Sequence, residues 1–428
     1  MRKVYLSFLG IGSKKANGIF EYDKAVYVLN GKKSKETEFV QVAEIQILGP
    51  SNFDMILIVA TQKSYDTHFK DNLKTQLLKA GANEVSYIII SEDMTPEGQW
   101  EWFERILNHI EYGDELTIDL THGYRSIPIV FSTAINFLQK SRRIILNAVY
   151  YGAYDKNRKL APIINMKDFY TINEWADAVS RLVEDADARK MAEVAERTSE
   201  FQVAELNDPE VISTFEDLTN TIRNVDINNV SKKANAAIEL IKAKERMASV
   251  TGKVLLKLVI DKFVSITTKE PVSGKYDKAY FNVQIEIIKL LLEHKLFMQA
   301  YTVMREFIGS IGLIKIEKAR INTKKGRNKR YRFADTFINM LQYEESQWKF
   351  KESENVVTIL KPFYTRLKNI GVESTLRDFT KELTDYRNGF DHAWTSKKEA
   401  CSDIEEKGYQ FFHKLKEVVL ILEENSIF

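Results

Sequence analysis

Leu116-Thr117-Ile118-Asp119-Leu120-Thr121-His122-Gly123-Tyr124-Arg125-Ser126 decides how the N-terminal half folds. Its first five residues form an apolar run of strand length. Polar turn-formers follow, and they lead into a 3.6-period pattern at Ser126–Gln139. A buried strand that passes through a tight polar turn into a helix is the building unit of a parallel sheet. The unit recurs on both sides of this stretch. Strand candidates are Val4–Leu9, Ala25–Leu29, Met55–Ala60, Val85–Ile90, Leu116–Leu120 and Ile144–Tyr151. Helical patterns lie between them at Glu36–Leu48, Asp66–Ala80, Glu97–Ile110 and Ser126–Gln139. This alternation predicts a mainly parallel sheet with helices on both faces, and right-handed crossovers make it a doubly wound, Rossmann-like α/β domain.

From about Asn173 onward the period changes. Glycine and proline thin out, and long helical patterns take over at Glu174–Val194, Ala234–Val259, Phe281–Leu292, Phe297–Ile311, Glu354–Asn369 and Tyr409–Leu422. The second half is expected to be all-α, with polar Asn207–Val230 as a joint between helices. The expected division is an α/β domain at 1–172, a helical connecting region at 173–254 and a helical domain at 255–428.

The 428 residues suit two or three domains, and 44% hydrophobic residues suffice for sizeable cores. A net charge of +2 excludes a uniformly basic coat, so any nucleic-acid site must be local. The single cysteine, Cys401, excludes an internal disulfide and a Cys-rich zinc site. Val4–Leu9 is too short for a signal-peptide core, and no apolar run approaches the roughly 18 residues of a membrane span. A cytoplasmic protein with no membrane partner is expected.

Ligands of open parallel sheets sit beyond the carboxyl ends of the strands. Three motifs fall there. Leu9-Gly10-Ile11-Gly12-Ser13 follows the first strand; its backbone suits a phosphate as well as it suits a plain turn. It is not a dinucleotide fingerprint, because Lys15 stands where the third glycine belongs. The motif Asp119–Ser126 adds the hydroxyls of Thr121 and Ser126, the proton carrier His122, the ring of Tyr124 and the cation Arg125. Tyr150-Tyr151-Gly152 ends the last long strand, either as a ligand platform or as aromatic packing. Together they predict a phosphate-rich, base-containing ligand rather than a nicotinamide cofactor.

A second constellation is Asp385-Tyr386-Arg387-Asn388-Gly389-Phe390-Asp391-His392. On one continuous helix Arg387 and His392 lie roughly 140° apart, so a break is expected, and Gly389 is its natural place. Arg387 and His392 suit RNA cleavage in which the 2′-hydroxyl attacks the adjacent phosphorus. His392 would move the proton, Arg387 would stabilise the developing charge and Asn388 would support them. A solvated Arg and an unrelated His fit the same letters. No metal-ligand cluster is visible. Between Lys315 and Arg332 nine basic residues face one acid, Glu317. That composition reads as a basic loop, either for a nucleic-acid backbone or simply solvated.

These residues resemble a known family. Asp119-Leu120-Thr121-His122-Gly123 matches the Asp-x-Thr-His-Gly signature of a group of CRISPR-associated proteins. Ser7-Phe8-Leu9-Gly10-Ile11-Gly12, Tyr150-Tyr151-Gly152 and Asn173-Glu174-Trp175 are similar to the same group. Arg387-Asn388-x3-His392 resembles the HEPN ribonuclease motif. The chain therefore looks like a CARF–HEPN ancillary ribonuclease of type III CRISPR systems.

The resemblance implies a sensor for cyclic oligoadenylate built across a homodimer axis, with higher oligomers open. Binding would activate a HEPN pair that cuts single-stranded RNA without metal. Gly10, Gly12, Thr121, His122, Gly123, Tyr124, Arg125, Tyr151 and Gly152 would line the sensor; Ser13 and Thr61 are candidates by position only. Arg387 and His392 would be catalytic, with Asn388 supporting. The implied activator is cyclic tetra-adenylate, with the hexa-adenylate as alternative, and slow cleavage of the ligand by Thr121 and His122 is a further implication. A ligand-responsive nucleic-acid-binding regulator without catalysis is the alternative reading, and it calls for a helix-turn-helix or winged segment.

Overall fold

The structure, a computed structural model, describes residues 1–16, 18–93, 95–122, 127–157, 160–197, 204–268, 274–316, 323–348, 350, 354–395 and 402–428. The chain divides into two compact units, Met1–Asn173 and Glu174–Phe428. The first is a mixed α/β sheet domain, and the second is all-helical among the described residues.

Among the described residues ten strands lie in the first unit: β1 (Lys3–Leu9), β2 (Ser13–Lys14), β3 (Phe20–Glu21), β4 (Val26–Leu29), β5 (Lys32–Lys33), β6 (Met55–Thr61), β7 (Val85–Ile90), β8 (Glu115–Asp119), β9 (Ile145–Gly152) and β10 (Leu160–Asn165). Strands β2 and β3 form a separate hairpin, and the others make one sheet in the order β5-β4-β10-β9-β8-β1-β6-β7. From β9 to β7 the pairing is parallel throughout. Antiparallel pairs join β9 to β10 and β4 to β5.

β1 shows why the sheet is central. Val4, Leu6 and Phe8 pack into one buried cluster with the helices Pro96–Leu107 and Ile127–Ser141. Tyr5 and Leu9 pack into another with the helix Val40–Leu48. A strand covered on both faces is apolar nearly throughout, which is why it reads as a near-continuous run; the buried exception, Ser7, is hydrogen-bonded to Asp119.

Two expectations shift here. The helix expected from Glu36 begins only at Val40, because Thr37 is paired in a two-way backbone bridge with Ala25. Strand β10 has no counterpart among the expected strands; Pro162 sits inside it and cannot donate to a ladder, which masks the pattern.

In the second unit one hydrophobic core runs from Trp175 to Ile427. Residues 174–254 contribute to that same core. Asn207–Val230 is not a joint but mostly a helix, Pro209–Arg223. Asp208 caps it by accepting from the Glu210 N–H, and Val211, Phe215, Leu218 and Ile222 form its buried stripe. The pattern at Ala234–Val259 is two helices, Ile227–Glu245 and Val250–Phe263, divided where Ser249 caps the second. The expected basic loop is also corrected in its second half. Thr323 accepts from the Gly326 N–H and starts the helix Lys324–Gln342, while residues 317–322 lie outside the described residues. Arg330 on that helix turns inward, donating to Glu306 and to Ser310 Oγ at 3.0 Å, so it is a structural cation. Among the described residues no helix is long and apolar enough to cross a membrane.

Candidate functional site

The chain leaves β1, builds β6 and β7 on one side, then returns to place β8 on the other. The strand order reverses between β1 and β8, and a crevice opens at such a switch point. A cleft of about 450 Å³ lies there. Gly10 and Gly12 line it from the end of β1, Thr61, Lys63 and Ser64 from the end of β6, and Thr121 and His122 from the end of β8.

The floor is fixed from below. Asp119 is fully buried and accepts from Ser7 Oγ at 2.7 Å, from the Thr121 N–H at 2.9 Å and from Thr121 Oγ1. Thr121 Oγ1 in turn accepts from the Gly152 N–H at 2.7 Å. One threonine therefore ties the ends of β8 and β9 together. Burial pushes the Asp119 carboxyl up to about 6, against the lowering effect of its hydrogen bonds from Ser7 and Thr121. Gly152 has no space for a side chain, since a Cβ there would meet Val40 Cγ2 at 2.9 Å.

Two rings, Tyr22 and His122, line the cleft beside this floor, and a third, His68, packs behind Tyr22. Tyr22 lies between two imidazoles, with ring centroids 4.6 Å from His122 and 5.1 Å from His68. His68 Nε2 donates to the Ile11 carbonyl at 2.9 Å, which fixes its tautomer. His122 is only partly buried as a residue, yet its Nε2 is enclosed and has no hydrogen-bond partner among the described residues. Burial, aided by His68, lowers the His122 pKa to about 4.

That depression has a stability sign. The folded state keeps His122 neutral where the unfolded chain, with a histidine pKa near 6.5, takes up a proton. The contribution is therefore lost as pH falls from about 6.5 towards 4. Between pH 7.5 and pH 5 the wild type is expected to lose roughly 1–2 kcal/mol more unfolding free energy than His122→Asn. Urea unfolding of both at the two pH values measures it; parallel losses would contradict the enclosed, neutral imidazole.

The expected ligand residues divide as follows. Gly10, Gly12, Thr61, Thr121 and His122 line the cleft. Ser13 does not: Gly12, at φ +74°, turns the chain into the β2–β3 hairpin, and Ser13 Oγ points to the Glu21 carbonyl at 3.4 Å. Tyr151 does not either, because it lies between buried Tyr150 and Gly152 on β9 and faces outward, 43% exposed. Gly152 acts through its backbone. Gly123, Tyr124 and Arg125 lie outside the described residues. The sequence reading did not single out Tyr22, His68, Lys63 or Ser64. Lys63-Ser64 was findable, since it follows a strand end; nothing in the letters marks Tyr22 or His68.

In the helical unit, the helix Val372–Asp391 passes straight through Gly389 and ends at His392, so the expected break falls three residues later. The end is a Schellman motif: the Trp394 N–H donates to the Gly389 carbonyl at 2.7 Å and the Ala393 N–H to Phe390 at 3.3 Å. Trp394 folds back over Gly389 and packs against Tyr386 and Phe390. Gly389 thus seats a ring rather than breaking the helix. In Gly389→Ala the new Cβ would lie 2.5 Å from Trp394 Cζ3. Helix propensity favours alanine by up to about 1 kcal/mol, but the clash costs roughly 1–3. The variant is expected to unfold at lower urea concentration, and an unchanged or higher midpoint would contradict this packing.

Arg387 and Asn388 lie near the C-terminal end of this helix and His392 at its C-cap. His392 is exposed, while Arg387 is partly buried and forms an ion pair with Asp391. Its Nη1 also faces Asn388 Oδ1 at 3.4 Å, and its Nε is buried without a partner among the described residues. Among the described residues no three His, Cys, Asp or Glu side chains converge as a metal site.

No protein-family profile matches the chain. Over 227 residues it is 24% identical to a CRISPR-associated protein of Methanocaldococcus jannaschii, an alignment that covers 51% of this chain and 33% of the other. The chain is related to a CRISPR-associated protein. It spans about a third of the length of that curated relative. Among solved structures it is similar to Enterococcus italicus Csm6 bound to cyclic hexa-2′-fluoro-hexa-dAMP, with 10% identity and a TM-score of 0.40, over 99% of this chain and 95% of that one.

Proposed function

We propose that the chain is a cyclic-oligoadenylate-activated endoribonuclease of the CARF–HEPN type, acting on single-stranded RNA in type III CRISPR defence. The observation that carries this reading is the cleft at the β1–β8 switch point, with a glycine loop for phosphate on one wall and rings and an enclosed imidazole on its floor. Such a lining suits a ligand that alternates anionic and aromatic groups. The resemblance of Asp119–Gly123 to the Asp-x-Thr-His-Gly signature narrows that class to a cyclic oligoadenylate, with the tetra-adenylate first and the hexa-adenylate as alternative.

The helical unit supplies the cutting chemistry in this reading. RNA carries its own nucleophile: the 2′-oxygen bonds to phosphorus, the bond to the 5′-oxygen breaks, and a 2′,3′-cyclic phosphate remains. His392 moves the proton, Arg387 faces the phosphoryl oxygens and Asn388 supports the guanidinium. Two such segments in a homodimer would share one cleft. The reaction needs no metal, and the protein works in the cytoplasm. Slow cleavage of the bound ring beside Thr121 and His122 would switch the enzyme off.

A binding and product test addresses both halves. Calorimetric titration is expected to show binding of a cyclic oligoadenylate and no binding of a linear tetra-adenylate of equal length. RNA digested in its presence is expected to carry 2′,3′-cyclic phosphate ends, whereas 5′-phosphate products would point to a water nucleophile and overturn the proposed chemistry.

A further inference from the structure

The cleft floor holds two polar atoms that no part of the described chain satisfies. His122 Nε2 is enclosed and unpartnered. Tyr22 Oη is also enclosed; it lies towards the Gly10 and Gly12 amides without a formed hydrogen bond. Buried polar atoms left without partners are uncommon and costly. These two sit side by side, on rings 4.6 Å apart, in the lining of one cavity.

The residue that backs the Tyr22 ring is His68. It lies in a π-helical segment, Tyr65–Leu73, whose wider turns are rare and cluster at functional sites. The segment brings His68 against both Tyr22 and Phe39. Its Nε2 fixes the carbonyl of Ile11, the residue between the two glycines of the loop. His68 thus positions the loop and the Tyr22 ring together.

The chemistry these atoms select is neutral. Asp119 holds the floor through Thr121, and the lysine and the carboxylate on the lining, Lys63 and Glu92, come from beyond the ends of β6 and β7, not from the ring column. An imidazole enclosed among rings and held uncharged is a poor partner for phosphate and a good one for an uncharged donor or acceptor.

We propose that Tyr22 and His122 recognise a neutral hydrogen-bonding edge of the bound nucleotide, and that His68 is the positioning residue that sets their geometry. The proposal rests on the sensor reading above. The phosphates are left to the Gly10–Gly12 backbone and Lys63. A neutral edge has two sources in a cyclic oligoadenylate, the purine base and the ribose 2′-hydroxyl.

Titration calorimetry on the full-length protein separates them. The probes are cyclic tetra-adenylate, cyclic hexa-adenylate, and the 2′-deoxyadenylate and inosinate forms of whichever ring binds. Tyr22→Phe is expected to weaken the adenylate ring roughly tenfold, the loss of one well-placed hydrogen bond. If the 2′-deoxy ring is weak for wild type but no weaker for Tyr22→Phe, the edge is the ribose; if the inosinate ring behaves so, it is the base. His68→Leu is expected to weaken binding at least tenfold, and His68→Gln, whose amide can reach the same carbonyl, to restore most of it. Thermal melts of each variant separate misfolding from lost recognition. Wild-type affinity in both Tyr22→Phe and His68→Leu would overturn the proposal and leave the sensor reading intact. Failure of wild type to bind either ring would overturn both.

Discussion

His392→Ala is expected to lower activator-dependent cleavage of single-stranded RNA by roughly 10²–10⁴-fold, the range for losing a general acid–base. Arg387→Ala is expected to fall at least as far, because the charge that develops on the phosphoryl oxygens loses its cation. The geometry makes the two separable. His392 is exposed at the helix end and packs on nothing the fold needs, so His392→Ala should melt like wild type. Arg387 is paired with Asp391 and has a buried Nε, so its removal also leaves Asp391 uncompensated near the helix C-terminus, where negative charge is disfavoured. Arg387→Lys keeps the charge but loses the planar fork, and it is expected to recover little activity. Single-turnover rates in excess enzyme measure all three, and unchanged ligand affinity confirms that only the cutting half has been touched.

Gly12→Ala is expected to cripple the sensor. Gly12 has φ +74°, a conformation that costs a side-chain-bearing residue roughly 1–3 kcal/mol. A Cβ there would also lie 2.7 Å from the Glu21 carbonyl oxygen and 2.9 Å from its carbon. Both are backbone atoms of the hairpin, so the neighbour cannot step aside as a side chain would. The loop must therefore move, and with it the Ile11 carbonyl that His68 holds and the amides proposed to face the phosphates. A loss of at least a hundredfold in affinity for the cyclic oligoadenylate is expected, with a lower melting temperature. Gly18→Ala is the control: it shares a positive φ of 83° but has open space, so it should cost strain alone and leave affinity unchanged.

Much of this site was legible in the letters, for a physical reason. A parallel sheet puts its strands in the core, so Val4–Leu9, Met55–Ala60 and Val85–Ile90 stand out as apolar runs, and the ligand must meet the turns that follow them. Gly10, Gly12, Thr61, Thr121 and His122 were reachable by that logic. Tyr22 and His68 were not. Tyr22 arrives from the β2–β3 hairpin excursion and His68 from near the start of a helical pattern, and tertiary packing alone brings the two rings together beside the cleft. Tyr151 and Ser13 stand away from this cleft for the opposite reason. Each neighbours a residue that does serve the floor, but strand alternation turns one outward and the Gly12 turn carries the other away.

The helical unit follows the same division. Phe297–Ile311 and Glu354–Asn369 were readable to the residue, because their stripes are long and apolar. Asn207–Val230 looked like a joint because polar residues outnumber its four-residue stripe. Gly389 looked like a break because glycine is a poor helix former; its actual partner, Trp394, is five residues away, and that contact exists only after the chain turns back.

The central claim is that a ligand in the N-terminal cleft switches on a nuclease in the helical unit. The most direct measurement is cleavage of a fluorophore-quenched single-stranded RNA in EDTA, with cyclic tri-, tetra- or hexa-adenylate added, for wild type, His392→Ala and Gly12→Ala. The expected result is cleavage by wild type with one ring size, cleavage by His392→Ala at least about a hundredfold slower at any ligand concentration, and recovery of Gly12→Ala only at much higher ligand. Cleavage that ignores the added rings, or that proceeds at the wild-type rate in His392→Ala, would contradict the account.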